Sequence, residues 1–171
     1  MTTTTTSPPF SSLCPIFSVC PESPASVHAK CELTVRFDQP CDKVMHEMLA
    51  RITGSSQWVD PHNQGTYAME SASDTRIEVS HVTGNKLYTD KMAIEFEASA
   101  NKSCTIKACS ASQDTYVFDY STNFCNLRNL YCNSKEDGCP VVNHELTYRE
   151  RYHNCWQRKA ANCNTNQKSD I

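Results

Sequence analysis

The stretch CTIKACSASQDTYVFDYSTNFCNLRNLYCNSKEDGC, residues 104–139, decides how this chain can fold, because it contains five of the chain's eleven cysteines. Its apolar residues lose their regular spacing between Ser110 and Cys132. A segment with so little periodic apolar surface gains too little from packing to offset the entropy lost on ordering it. We therefore expect disulfide bonds to hold this stretch between a meander of strands before it and a further strand after it.

The cysteine spacing favours disulfide bonds over a metal cluster. Structural zinc sites commonly take their ligands from C-x2-C pairs, and no such pair occurs in the sequence. Disulfide bonds persist in oxidising compartments, so we expect a secreted or extracellular protein. Because the count is odd, a leftover cysteine would allow a disulfide-linked homo-oligomer or assembly. The candidate disulfide cysteines are Cys31, Cys41, Cys104, Cys109, Cys125, Cys132, Cys139, Cys155 and Cys163.

Length and composition exclude several classes of protein. A chain of 171 residues suits one domain. Its net charge of −3 argues against nucleic-acid binding, which needs a basic face. No apolar run is long enough for a membrane span. Residues 1–30 show no leader peptide, so an exported protein would have lost its leader, start elsewhere or leave by an unconventional route.

The sequence divides into three parts. Residues 1–28 are rich in Thr and Pro, lack periodicity and are expected to form a flexible lead-in, which Cys14 and Cys20 could tie to the body. Residues 29–163 are expected to form a single disulfide-stabilised α+β domain. The polar residues 164–171 predict a disordered tail.

Residues 29–54 predict a strand followed by a helix. Apolar residues first alternate with polar ones, which is the period of a half-buried strand, at Cys31, Leu33, Val35 and Phe37. After Pro40 the apolar residues change to one helical stripe, formed by Val44, Met45, Met48, Leu49 and Ile52. Gly54 should end the helix. Glu47 and Arg51, four residues apart, are expected to pair on its outer face.

The rest of the chain predicts an antiparallel meander and shorter elements. Strands are expected at residues 66–71, 75–83, 87–97, 104–109 and 142–149, and short helices after Ser121 and within residues 154–162. The predicted fold class is thus α+β: a disulfide-rich antiparallel sheet of about five to six strands, with one main helix packed on one face.

A loop after the main helix combines an aromatic side chain with polar groups, as sugar-binding and catalytic loops do. Its candidate binding residues are Trp58, Asp60, His62, Asn63 and Tyr67. Asp60 and His62 could form the carboxylate and imidazole couple of a small hydrolase. Asp-Pro followed by Asn is also ordinary turn chemistry, however, and Trp58 could cap the core. We favour this structural interpretation.

Further candidates lie in and near the cysteine-rich stretch. Asn126 and Arg128 offer hydrogen bonds to a carbohydrate or protein, although Asn side chains also tie down irregular backbone, which we favour. Asn101, in the sequon Asn101-Lys102-Ser103, is expected to carry a glycan. Nucleophile, phosphate-loop and dinucleotide motifs are missing from the sequence, so we expect no cofactor and no metal.

Four sequence words carry a resemblance to a known group: WVDPHNQGTY (58–67), GNKLYTDK (84–91), CTIKACSASQ (104–113) and DYSTNFCNLRNLYC (119–132). They are similar to words in a family of small secreted cysteine-rich proteins of unknown function from algae and related protists. The resemblance covers roughly residues 31–148. It implies an extracellular location and brings no activity or catalytic residue.

These observations lead to three hypotheses of function. The first is a secreted, non-enzymatic binding or structural module of an extracellular matrix, cell wall or extracellular assembly, whose partner is a protein or a carbohydrate. The second is a small hydrolase using Asp60 and His62. The third is a carrier that holds an apolar ligand between helix and sheet.

Overall fold

The computed structural model describes residues 19–136 and 139–164. The beginning of the predicted lead-in, with Cys14, and nearly all of the predicted tail lie outside the described residues. Helices long and apolar enough to cross a membrane are not found in the part of the chain that is described.

A six-stranded antiparallel sheet forms the centre of the fold and confirms the predicted fold class. Its strands are β1 Lys30–Phe37, β2 Thr66–Ala72, β3 Arg76–Val82, β4 Thr89–Ala98, β5 Cys104–Ser112 and β6 Tyr148–Cys155. They follow the order β2-β3-β4-β5-β1-β6 in the sheet. Strands β2 to β5 are the predicted meander, while β1 pairs with β5 and β6 with β1.

Two helices, α1 Cys41–Ile52 and α2 Thr122–Arg128, cover one face of the sheet. One apolar core joins Phe37 and Ile94 of the sheet to Val44 and Met48 of α1 and Leu127 of α2. The predicted apolar stripe of α1 therefore faces the sheet. Ser121 precedes α2 as expected, but its side chain makes no capping hydrogen bond.

Glu47 and Arg51 form the predicted pair, but its expected position on the outer face of α1 is wrong, because both side chains are completely buried. The Glu47 carboxylate accepts hydrogen bonds from Arg51 Nε at 2.7 Å and from the backbone N–H groups of Val142, Asn143 and His144 at 2.9, 2.6 and 2.8 Å. Burial raises the pKa of Glu47, but these donors outweigh it and hold the pKa below its ordinary value. The carboxylate thus anchors a segment far along the chain.

This anchor explains why the predicted strand at residues 142–149 is wrong in its position. Backbone groups that donate to Glu47 cannot at the same time pair in a sheet. The last strand, β6, begins only at Tyr148 and continues to Cys155. It thereby replaces the beginning of the helix predicted at residues 154–162, where only a short 3-10 turn forms, at Ala160–Asn162.

Arg51 binds the cysteine-rich stretch directly. Its guanidinium donates to the carbonyl oxygens of Asn129 and Cys132, each at 2.9 Å. Burial lowers the pKa of Arg51, and the neighbouring Glu47 carboxylate opposes this effect. Together Glu47 and Arg51 hold two irregular segments, residues 129–132 and 142–144, against α1. The spacing of apolar residues did not predict these contacts.

Five disulfide bonds join the ten cysteines of the described residues, and every predicted disulfide cysteine takes part. Cys155 and Cys163, at the two ends of the region where the last short helix was predicted, bond with Cys31 and Cys125. Cys20 belongs to the predicted lead-in and bonds with Cys109 on the sheet face away from the helices. The pairs are Cys20–Cys109, Cys31–Cys155, Cys41–Cys104, Cys125–Cys163 and Cys132–Cys139.

Candidate functional site

A row of buried side chains crosses four neighbouring strands on the face that carries the helices. The strand register places Tyr67 opposite His81, His81 opposite Asp90, and Asp90 opposite Ser112. Residues paired across an antiparallel sheet point to the same face. The register therefore brings a phenol, an imidazole, a carboxylate and a hydroxyl together inside the protein.

Asp60 joins this row from the loop after α1. Its Oδ2 lies 3.2 Å from His81 Nε2, and His81 Nδ1 lies 3.8 Å from Asp90 Oδ2. The second distance suits an ion pair but is too long for a hydrogen bond. Asp60 is 1% exposed and His81 0%. The imidazole that faces the Asp60 carboxylate is thus that of His81, which sequence reasoning missed.

The predicted couple of Asp60 and His62 is wrong as a pair of facing side chains. The only group of His62 that bonds with Asp60 is its backbone N–H, which donates to Asp60 Oδ1 at 3.1 Å. The His62 ring points elsewhere: its Nδ1 lies 2.7 Å from the carbonyl oxygen of Asn162 and its Nε2 lies 3.3 Å from Thr122 Oγ1. His62 therefore ties the loop to α2 and to the turn at Ala160–Asn162.

The two aspartates favour a charged imidazole between them. Burial lowers the pKa of His81, but the hydrogen bond to Asp60 and the charges of Asp60 and Asp90 outweigh it and raise the pKa above its ordinary value. Burial raises the pKa of Asp60, and His81 with the other donors brings it below its ordinary value. The core thus contains a charged imidazole beside two carboxylates, and the opposite charges stabilise one another.

Three asparagines of the second helical region complete this buried polar cluster. Asn123, Asn126 and Asn129 follow one another at intervals of three residues, and all are 0% exposed. Asn126 Nδ2 donates to Asp90 Oδ2 and Asn129 Nδ2 to Asp60 Oδ1, each at 2.8 Å. Asn126, a candidate binding residue, thus lies inside the protein. The three-residue spacing was a signal in the sequence for one common buried face.

Two other residues of the candidate loop, Trp58 and Tyr67, also face inward, and the half-buried Asn63 bonds within the loop. Trp58 is buried and its Nε1 donates to the carbonyl oxygen of Pro140 at 3.1 Å. Tyr67 is buried and its hydroxyl donates to the carbonyl oxygen of Asn126 at 3.1 Å. Asn63 Oδ1 accepts the backbone N–H of Gly65 at 2.9 Å. A Cβ on Gly65 would lie 2.1 Å from His81 Nε2, so only glycine fits beside the imidazole.

Arg128, the remaining candidate, is held between two carboxylates. Its Nη1 donates to Glu150 Oε1 at 2.7 Å, and its Nη2 pairs with Glu136. The same Glu150 oxygen accepts the hydroxyl of Tyr131 at 2.7 Å. Burial lowers the pKa of Arg128, but the carboxylate charges, Glu150 first, outweigh it and raise the pKa. Arg128 therefore fastens α2 to β6.

Large exposed apolar side chains collect at one end of the sheet, where β3, β5 and β6 end and β1 and β4 begin. We call this group the aromatic end; it comprises Leu87, Tyr88, Tyr116, Phe118, Tyr120 and Trp156. Trp156 is 83% exposed, Phe118 71% and Tyr120 65%. None of the six was a candidate from the sequence, because irregular segments give no periodic sign of which side chains face water.

The loops of the aromatic end are joined to one another. The rings of Tyr88 and Tyr116 lie 5.4 Å apart. Gln157 Nε2, next to Trp156, donates to the carbonyl oxygen of Val117 at 3.4 Å, and Asn162 Nδ2 donates to that of Tyr120 at 3.3 Å. The exposed rings are thus carried by loops that share hydrogen bonds.

The backbone at Tyr120 has an unfavourable conformation. Its φ is 50° and that of Ser121 is 74°, in the left-handed region that bulky residues rarely adopt. Asp119 supports this turn, since its Oδ1 accepts the N–H of Ser121 at 3.2 Å and its Oδ2 that of Asn123 at 2.9 Å. Strain of this kind persists only where the surroundings enforce it. Here it leaves the Tyr120 ring in solvent.

The fold and these sites define a disulfide-stabilised α+β protein with a charged interior and an exposed aromatic end. No protein-family model matches the chain, and neither a curated protein nor a solved structure shows significant similarity to it.

Proposed function

We propose that the protein is a secreted, non-enzymatic binding or structural module of an extracellular matrix, cell wall or extracellular assembly. It contacts its partner, a protein or a carbohydrate, through the aromatic end. The observation that carries this proposal is the group of exposed rings of Phe118, Tyr120 and Trp156, with exposures of 71%, 65% and 83%.

The hydration of exposed aromatic rings is unfavourable, and burying the rings in a complex is favourable. Each aromatic side chain can bury about 150 to 250 Å² on binding. Aromatic residues are also enriched among the side chains that contribute most to protein interfaces. Because shared hydrogen bonds and disulfides already order the loops around Tyr120 and Trp156, little further entropy is lost on binding.

Two other features support the extracellular part of the proposal. Five disulfide bonds are typical of proteins from oxidising compartments. Asn101 is exposed in the turn between β4 and β5, at the end of the sheet opposite the aromatic end. A glycan on Asn101 would therefore leave the aromatic end uncovered.

The two other hypotheses gain less support. A hydrolase needs its acid and base to reach a substrate, whereas Asp60 faces the buried His81 and the His62 ring is bonded to Asn162 and Thr122. A carrier needs an open apolar cavity, whereas Val44 and Met48 of α1 pack with Phe37 and Ile94 of the sheet in one core. Asparagines and aspartates hydrogen-bond between α2 and the sheet.

The experiment compares wild type with the triple variant Phe118→Ser, Tyr120→Ser, Trp156→Ser. Each protein is incubated with an insoluble extracellular matrix or cell-wall fraction of the source organism, and the bound fraction is measured after sedimentation. We expect at least a tenfold loss of affinity in the triple variant, because each lost aromatic contact costs on the order of 1 to 2 kcal/mol.

The matched control is Asp38→Ala, an exposed position beyond the end of β1 at the opposite end of the sheet. This control should bind as wild type does. Equal binding by wild type and the triple variant would overturn the proposal. Thermal unfolding of each variant separates loss of binding from loss of folding.

A further inference from the structure

Two histidines from distant parts of the chain meet at the surface beside α1. His46 lies on α1 and His144 in the segment before β6. His46 Nδ1 and His144 Nε2 are 3.2 Å apart, and the ring centroids are 5.3 Å apart with an angle of 53° between the planes. Neither ring belongs to the buried polar cluster or to the aromatic end.

The pair is held in place by contacts other than its own. Glu47, the residue after His46, accepts the backbone N–H groups of Asn143 and His144. Arg51, one turn further along α1, bonds with the same carboxylate. The helical turn that presents one imidazole therefore also fixes the backbone that carries the other. This arrangement is already ordered before any ligand arrives.

Facing imidazole nitrogens at this distance suit a metal ion. Neutral imidazole is a ligand for Zn²⁺, Cu²⁺ and Ni²⁺. Two nitrogens at about 2.0 to 2.1 Å from one tetrahedral ion lie about 3.3 Å apart, which is close to the observed 3.2 Å. Both nitrogens would have to be unprotonated, with the ring protons on His46 Nε2 and His144 Nδ1. A simple hydrogen bond between the two rings is the competing explanation.

We propose that His46 and His144 bind a divalent transition metal ion, with affinity in the order Cu²⁺ above Ni²⁺ and Zn²⁺. Among the described residues no group of three or more His, Cys, Asp or Glu side chains could hold a metal. The two imidazoles thus supply the protein ligands from this part of the chain. Water or a group from a bound partner completes the coordination.

The test uses the disulfide-intact protein, stripped of metal with a chelator and dialysed. Calorimetric titration with CuCl₂, NiCl₂ and ZnCl₂ should show one site with the stated order of affinity. His46→Ala and His144→Ala should each weaken Cu²⁺ binding at least tenfold, because each variant loses one of the two imidazole ligands. The matched control is His153→Ala, which removes another exposed histidine whose Nε2 lies 2.8 Å from Thr34 Oγ1 and should leave the affinity unchanged.

A second measurement needs no variant. In imidazole ¹⁵N spectra of the wild type, Zn²⁺ should shift His46 Nδ1 and His144 Nε2 and leave the His153 signals in place. Because metal binding requires unprotonated ligands, acid should weaken the binding. Failure of the wild type to bind Cu²⁺, or binding that His46→Ala and His144→Ala do not reduce, would overturn the proposal and leave only a hydrogen bond between the rings.

Discussion

Two regions of the molecule place side chains in unusual surroundings: the interior contains charged groups, and the aromatic end exposes apolar rings. Inside, Glu47 and Arg51 are fully buried as charges, while outside Phe118 and Trp156 stand in solvent. Each buried charge has a partner within the fold, but the exposed rings leave most of their surface uncovered. The interior charges therefore serve the fold, whereas the exposed rings remain accessible for the contact proposed above.

The partners of the buried charges explain why such costly groups are kept. Glu47 and Arg51 bond with backbone groups of residues 129–144, which periodic structure does not satisfy. Asp60 bonds with His81 and accepts a hydrogen bond from Asn129 Nδ2. A buried ion pair adds little net stability, but breaking it leaves an uncompensated charge.

The largest effect is expected for Glu47→Ala. This change leaves the Arg51 guanidinium buried without its carboxylate and three backbone N–H groups without their acceptor. The free energy of unfolding should fall by about 3 to 5 kcal/mol, measured by urea denaturation with the disulfides intact. Asp42→Asn, an exposed change on the same helix, should stay within about 0.5 kcal/mol of wild type. A loss below about 1 kcal/mol in Glu47→Ala would contradict the role given to this carboxylate.

A smaller loss is expected for Asp60→Asn. The neutral amide no longer stabilises the charged His81 imidazole, so the unfolding free energy should fall by about 1.5 to 3 kcal/mol, as for other hydrogen bonds to charged groups. A double-mutant cycle with His81→Gln measures the coupling. Strictly additive losses in this cycle would show that Asp60 and His81 do not act as a pair.

The same pair predicts a stability optimum in pH. Asp60, with a lowered pKa, contributes fully above about pH 4, and its contribution is lost as the pH falls through the pKa of the folded state. His81 faces Asp60, Asp90 and Tyr67, and its pKa is raised. Its contribution is complete below about pH 6.5 and is lost as the pH rises through the folded-state pKa.

Urea denaturation at a series of pH values should therefore show the highest stability near pH 5 to 6. In His81→Gln the decline on the alkaline side should become shallower, while the decline in acid remains because Glu47 also has a lowered pKa. If stability declines at alkaline pH in this variant as it does in wild type, groups other than His81 cause that decline.

The smallest effect on stability is expected at the aromatic end. Tyr120→Gly removes an exposed ring and relieves a φ of 50°, while the glycine increases the entropy of the unfolded chain. These effects nearly cancel, so the unfolding free energy should stay within about 1 kcal/mol of wild type. Thermal unfolding measures this, and sedimentation with the matrix fraction measures the accompanying loss of binding. A larger destabilisation would mean that the ring serves the fold.

Periodicity predicted the elements that bury one regular face. β1 and α1 follow directly from the spacing of residues such as Leu33, Val35, Val44 and Met48. The position of β6 could not be predicted, because Glu47 takes the backbone donors that an alternating pattern would assign to a strand. The partnership of Asp60 with His81 depends on strand register and on the close approach that Gly65 permits. Neither is visible in local sequence.

Oxidative footprinting of the native protein tests the central claim most directly, since it needs no substitution. The protein is labelled free and bound to its matrix or cell-wall fraction, and side-chain oxidation is compared by mass spectrometry. Trp58, which is buried, serves as the internal reference for Trp156. The account predicts that Phe118, Tyr120 and Trp156 become protected on binding. Unchanged oxidation of these three residues, with protection of another surface, would contradict it.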